Sequence, residues 1–232
     1  MKRSKKKWGC ITAMLLSAVV AAVLCIHYVW KYYGLPEWPD SRAYQSAEER
    51  AEKSLNCLCP PVISLQPYGN FTQKEAAKLG KELEKLLFEY FNVELECEVL
   101  PGLPLSDSLL NDAKTRYRAD KIIRSMSPKA SKHNIYIGLT HRDISCSTRG
   151  RADWGVQGLS ILTGKACVAS TFRVKNKREF PLVVCHEFIH TYFNYAHCPK
   201  DDPHCLMQDA KGHPYLKIKK GLCEYCRSVL KI

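Results

Sequence analysis

The sequence predicts an α/β (α+β) fold, with a mixed β-sheet, flanking helices and a small cysteine-rich subdomain at the C-terminus. Three observations predict it. Strand-like runs at 62–65, 93–99, 134–140 and 166–172 alternate with stretches of helical period, the order expected of a mixed sheet. One helical stretch carries closely spaced histidines. Finally, four of the twelve cysteines fall in the last 35 residues near further histidines, which favours metal binding over a disulfide framework.

A chain of 232 residues suits one compact domain plus an extension. Its 46% hydrophobic and 25% charged residues exclude wholesale disorder and a collagen-like rod. A polytopic membrane protein is excluded as well, because only one apolar run is long enough to span a bilayer. Lys2, Arg3, Lys5, Lys6 and Lys7 carry five of the twelve net positive charges. The remainder is mildly basic, with no Lys/Arg stripe interleaved with aromatics, so no nucleic-acid partner is expected.

From Trp8 to Trp30 there is no charged residue. At about 1.5 Å per residue, a helix over this stretch crosses a hydrocarbon core of roughly 30 Å. Trp8, Trp30, Tyr32 and Tyr33 suit the two interfacial belts. The basic cluster precedes the span. The expectation is therefore a single-pass membrane protein with a cytosolic N-terminus and the remaining domain on the extracytoplasmic side. A cleaved signal peptide fits less well, since the apolar run continues past the small residues at Val19-Val20-Ala21. This divides the chain into a basic tail and anchor helix (1–34), a polar linker (35–58) that opens on Pro36 and Pro39, and a globular domain (59–232). Cys57 and Cys59 stand at the domain's edge as unassigned thiols.

The domain opens with a strand at 62–65, closed by Pro67 and Gly69. Thr72 and Glu75 have the spacing of a capping box, with Phe71 as staple residue. The helix that follows places Ala76, Leu79, Leu83, Leu86, Leu87 and Tyr90 on one face, and Asn92 caps its end. Val93, Leu95, Cys97 and Val99 alternate with glutamates and mark a half-buried strand. Beyond the loop at 101–105, a helix is expected over 109–125 and a strand over 134–140. Residues 150–158 read as loop or bulge, and 166–172 as strand. Pro181 suits the first position of the histidine-bearing helix.

That helix contains CHEFIHTYFNYAHC. His186, Glu187 and His190 form H-E-x-x-H, which puts both imidazoles on one face a turn apart, able to grip one Zn²⁺. Glu187 stands beside them. Downstream, Cys198, Cys205, Cys223 and Cys226 are spaced as C-x6-C and C-x2-C, which suits a tetrahedral structural zinc; two disulfides are the alternative.

Together these residues resemble the archaemetzincins, metzincin-type zinc metallopeptidases with a second, cysteine-bound zinc. The resemblance rests on H-E-x-x-H, the following His-Cys pair, C-x-M, the late C-x-x-C, and the stretches RADWGVQGLS, GKACVASTFR and CLMQDAKG. It covers roughly residues 60–232. It implies a mixed sheet with an active-site helix. It makes His186, His190 and His197 the ligands of a catalytic zinc, Glu187 the general base and acid, and Met207 the Met-turn residue. Cys198, Cys205, Cys223 and Cys226 become the ligands of a structural zinc, so two Zn²⁺ ions are implied. Two spacings depart from the family pattern. Six residues separate His190 from His197 where the pattern has five, with Phe193 in the usual glycine slot and Asn194 next, as the residue able to make the turn. Six also separate Cys198 from Cys205, where four are usual. Asp201, Asp202, His204 and His213 are the alternative third ligands.

The implied activity is hydrolysis of a peptide or protein substrate by a zinc-activated water, with Glu187 moving the proton. Tyr195 or Tyr215 is a candidate oxyanion donor, and the strand at 167–171 a candidate pairing edge for the peptide. The alternative is a catalytically impaired, zinc-stabilised, membrane-anchored binding module, permitted by the displaced third histidine.

Overall fold

The computed structural model describes residues 61–131, 133–148, 150–162, 164–210 and 216–230. The expected anchor, the linker and the Cys57/Cys59 pair lie outside the described residues. Among the described residues, no helix is long and apolar enough to cross a membrane.

Strand β1 (Val62–Pro67) pairs parallel with β2 (Cys97–Val99) on one side and β4 (Asn134–Thr140) on the other. Strand β8 (Ala166–Ser170) pairs parallel with β4, and β7 (Gly158–Ser160) runs antiparallel along β8. The sheet order is β2-β1-β4-β8-β7, mixed as expected, with β7 at one edge. A second sheet joins β3 (Tyr117–Arg118), β5 (Ile144–Thr148) and β6 (Arg151–Val156) in the order β3-β5-β6.

The two-residue period of the strands distributes their side chains between two cores. Ile135, Ile137, Leu139, Cys167 and Ala169 face a large core shared with α1 (Gln73–Phe91) and α3 (Phe180–Phe193). Ala166 and Val168 face the other way, onto α2 (Ala119–Met126) through Ile122, Ile123 and Met126. The result is three layers.

Helix α1 forms where its signals place it. The Thr72 side chain accepts from the Glu75 backbone N–H, and Glu75 accepts from the Thr72 N–H at 2.8 Å. Asn92 ends the helix in the left-handed region at φ 52°. Leu79, Leu83 and Leu87 are buried on the face toward the sheet, with Leu86 only partly covered. Gly80 is there because the helix presses close: a Cβ would lie 3.1 Å from Cys97 Cβ and 3.2 Å from Leu65 Cδ1.

Four expectations are corrected. The strand over 93–99 pairs only at Cys97–Val99, although the burial alternation runs through the whole stretch. The helix over 109–125 shortens to α2, because the Asn111 carboxamide captures the backbone N–H groups of Thr115 and Arg116 and Lys114 turns at φ 53°. Residues 150–158 are not loop; they carry β6 and the start of β7. Sequence patterning missed β5–β6 because an ion-pair network ties this hairpin down. Arg116 bridges Asp143 and Asp153, and Arg173 forks onto Asp143 at 2.7 and 2.8 Å. Pro181 is the second residue of α3 rather than its first.

Helix α3 is apolar nearly all round and buried along most of its length, lying between β8, β7 and α1. A helix so enclosed has little freedom to rotate, so the polar groups it carries are held at fixed positions. Its last residue, Phe193, stacks on Phe91 at 5.1 Å, and Asn194 then reverses the chain at φ 52°.

Candidate metal centres

His186 and His190 project from one face of α3, one turn apart. Each ring is oriented by a backbone carbonyl: His186 Nδ1 donates to Leu206 O at 2.8 Å, and His190 Nδ1 to Tyr195 O at 2.5 Å. With both Nδ1 atoms serving as donors, the two Nε2 lone pairs face each other at 2.9 Å. Two acceptors at that distance repel unless a cation or proton joins them, so the donor chemistry fits a metal ion. His197 completes the group, its ring centroid 4.7 Å from that of His190 and 5.3 Å from that of His186. One ligand atom from each of the three lies within 4.8 Å of the others. Burial and the neighbouring His197 push His186 down to about 4. Burial and the facing histidines also lower His190 well below the usual range. Both rings are therefore neutral at physiological pH, the form that ligates metal.

Glu187 turns away from α3 toward the sheet edge. A Cβ on Gly158 would lie 2.6 Å from both Glu187 Cγ and Oε1, so the carboxylate rests directly on the backbone of β7. Ser160, on the same strand, hydrogen-bonds it. Burial pushes the carboxyl up to about 8 against the pull of Ser160. A group with that tendency takes up a proton readily and returns it.

The second group lies just beyond the first in the chain. Cys198, Cys205, Cys223 and Cys226 present four sulfurs within 4.8 Å of one another. Cys198 and Cys223 are 3.6 Å apart, as are Cys205 and Cys226. A disulfide needs about 2.05 Å. Tetrahedral Zn–S bonds of about 2.3 Å put sulfurs roughly 3.8 Å apart, so the set fits a zinc ion and the disulfide alternative is not observed. The hydrogen bond between Cys226 and Cys205 pulls Cys205 down to about 5 and pushes Cys226 up. Lys219 Nζ donates to Cys205 O at 2.8 Å, bringing a positive charge beside the sulfurs. The segments converge because Leu206 N–H donates to Gly221 O and Cys198 N–H to Met207 O. Helix α4 (Glu224–Leu230) brings Cys226 inward.

Comparison of the sequence with protein-family models finds no match, and comparison with curated proteins finds none either. Comparison of the structure with solved structures finds archaemetzincins among its matches. That of Methanopyrus kandleri superposes with a TM-score of 0.59 at 18% identity, covering 74% of this chain and 93% of its own. That of Archaeoglobus fulgidus, complexed with malonate, has a TM-score of 0.55 at 24% identity, covering 72% of this chain and 99% of its own. The fold is that of the archaemetzincins.

Against the archaemetzincin pattern, the extra residue between His190 and His197 is absorbed by one more helical position. Phe193 stays in α3 and Asn194 makes the left-handed turn. Of the third-ligand candidates, His197 joins the cluster. His204 instead turns its Nδ1 to Ile218 O at 2.9 Å, and Asp202 accepts from the His204 N–H. Asp201 lies 3.4 Å from the Gln208 side-chain amide. His213 and Tyr215 are outside the described residues. Met207 is fully buried beside Leu206.

Two functional expectations are overturned. The strand at 167–171 cannot receive a peptide, because β8 is paired on both sides, with β4 and with β7. Tyr195 is not aimed at a reacting carbonyl; it is buried and its hydroxyl lies 3.3 Å from Cys226 Sγ. Sequence reasoning also missed Gly158 and Ser160 as neighbours of Glu187. The one available signal was the glycine inside QGLS, which marks a close backbone approach. Among the described residues the other thiols are buried or half-buried packing groups: burial pushes Cys97 up to about 12, Cys146 up to about 11, and Cys167 and Cys185 higher still.

Proposed function

We propose that this chain is a zinc metallopeptidase that hydrolyses peptide bonds in a peptide or protein. His186, His190 and His197 hold a catalytic Zn²⁺, and Cys198, Cys205, Cys223 and Cys226 hold a structural one. The observation that carries the reading is the paired imidazoles, both oriented through Nδ1 with facing Nε2 atoms, beside a buried carboxylate at a sheet edge. When bound, the catalytic ion supplies a Lewis acid that acidifies a water and polarises the scissile carbonyl. Glu187 accepts the water's proton on its carboxylate and passes it to the leaving amine. Gly158 packs against that carboxylate and Ser160 hydrogen-bonds it, which restricts its position. Among the described residues β7 pairs only with β8, so its outer edge offers backbone donors and acceptors to an extended substrate.

The test is Glu187→Gln in the full chain. The variant retains both metal ions and loses peptide hydrolysis by about 10²- to 10⁴-fold. Unchanged hydrolysis removes the role given to Glu187, and a wild-type chain with metal loaded but no cleavage across a peptide library favours a binding module. We further propose that residues 1–34 anchor the protein in a membrane, with residues 59–232 extracytoplasmic. Deleting 1–34 moves the protein to the soluble fraction; persistence in the membrane fraction defeats the anchor.

A further inference from the structure

The carbonyls that orient the two helical histidines come from the segments that carry the cysteines. Leu206, which receives His186 Nδ1, lies between Cys205 and Met207, and its own N–H is tied to Gly221 O, two residues before Cys223. Tyr195, which receives His190 Nδ1, is three residues before Cys198. Its side chain reaches the cysteine cluster, where its hydroxyl lies 3.3 Å from Cys226 Sγ. A sulfur that ligates metal is a thiolate and only accepts, so the hydroxyl is then the donor. Tyr195 is thus held at both ends, by its carbonyl on one cluster and its hydroxyl on the other, directly after the left-handed turn at Asn194.

We infer that Tyr195 is a positioning residue that couples the two metal centres. Its hydroxyl locks onto the Cys226 sulfur when the cysteine cluster is loaded, and this fixes the carbonyl that aims His190 at its own metal. The inference rests on the proposed reading of two metal sites. It predicts that the histidine cluster binds metal more weakly when the hydroxyl is missing, although Tyr195 touches no substrate. Partners that orient a ligating histidine typically contribute 10- to 100-fold in metal affinity. Removing one remote anchor of such a partner should show the low end of that range.

The test is Tyr195→Phe in the full chain, depleted of metal and titrated with Co²⁺. The thiolate-to-cobalt charge-transfer band reports the cysteine cluster, and the visible ligand-field bands of nitrogen-ligated cobalt report the histidine cluster. The expected result is a cysteine-cluster band of wild-type amplitude with about tenfold weaker cobalt binding at the histidines. Tyr136→Phe, which removes a hydroxyl from β4 on the α2 side of the sheet, serves as control and stays within twofold of wild type. Histidine-cluster affinity within twofold of wild type in Tyr195→Phe overturns the coupling and leaves the two-site reading standing. A wild-type chain that takes up no cobalt at the histidines overturns the metallopeptidase reading, and the coupling falls with it.

Discussion

The two ligand clusters adjoin in the chain, His197 being followed directly by Cys198, yet they differ in openness. The histidine group offers three donors, with His197 exposed, His186 half-buried and only His190 buried. The cysteine group offers four donors, three buried and one half-buried. A three-donor, half-open set leaves a coordination position for a reacting molecule, whereas a four-donor, closed set satisfies a tetrahedral ion and leaves none. The difference comes from the surroundings. Two of the histidines lie on α3 and the third on the chain just after it, whereas the cysteines lie on short segments joined by the Leu206–Gly221 and Cys198–Met207 backbone hydrogen bonds.

The strongest way to break this comparison is to open the closed site. Cys226→Ala should lose the ion from the cysteine cluster and about 4–5 kcal/mol or more of unfolding free energy, because structural zinc binding is folding energy in so small a subdomain. Denaturant unfolding with metal analysis checks it, and an unchanged midpoint with both ions present would contradict a structural role. Glu187→Gln comes next, with its effect confined to turnover. Gly158→Ala sharpens the role of the sheet edge. The added methyl overlaps the carboxylate, so the side chain must move by about 1 Å, enough to lower kcat/KM by about 10²-fold. Unfolding free energy should fall by about 1–3 kcal/mol, because the methyl overpacks a buried contact that includes Glu187 Cγ. A variant with wild-type kinetics would show that Glu187 needs no such placement. The smallest effect belongs to Thr72→Ala, remote from both clusters. It removes the α1 cap and costs about 1 kcal/mol with no change in turnover or metal content, as read by thermal unfolding and steady-state assay.

Local features were legible wherever one segment carried the whole signal. The Thr72/Glu75 box and the Asn92 and Asn194 turns appear where their residue types place them. The i, i+4 spacing of His186 and His190 sufficed to predict a shared face, because helical geometry is decided within one turn. Legibility failed where distant segments compete. Asn111 overrode the helical tendency of 109–118 by capturing backbone donors, and ion pairs among Arg116, Asp143, Asp153 and Arg173 made strands of a stretch with no clear period.

By itself, then, the sequence determined which residues can ligate, which turns can form and which faces are apolar, since these follow from side-chain chemistry and short-range backbone sterics. Only the tertiary structure decided that, among the described residues, β7 rather than β8 forms the sheet edge, that Glu187 rests on Gly158, and that Tyr195 reaches the cysteines. Those outcomes depend on strand order and on how α3 is seated against the sheet, and packing between residues far apart in the chain decides both.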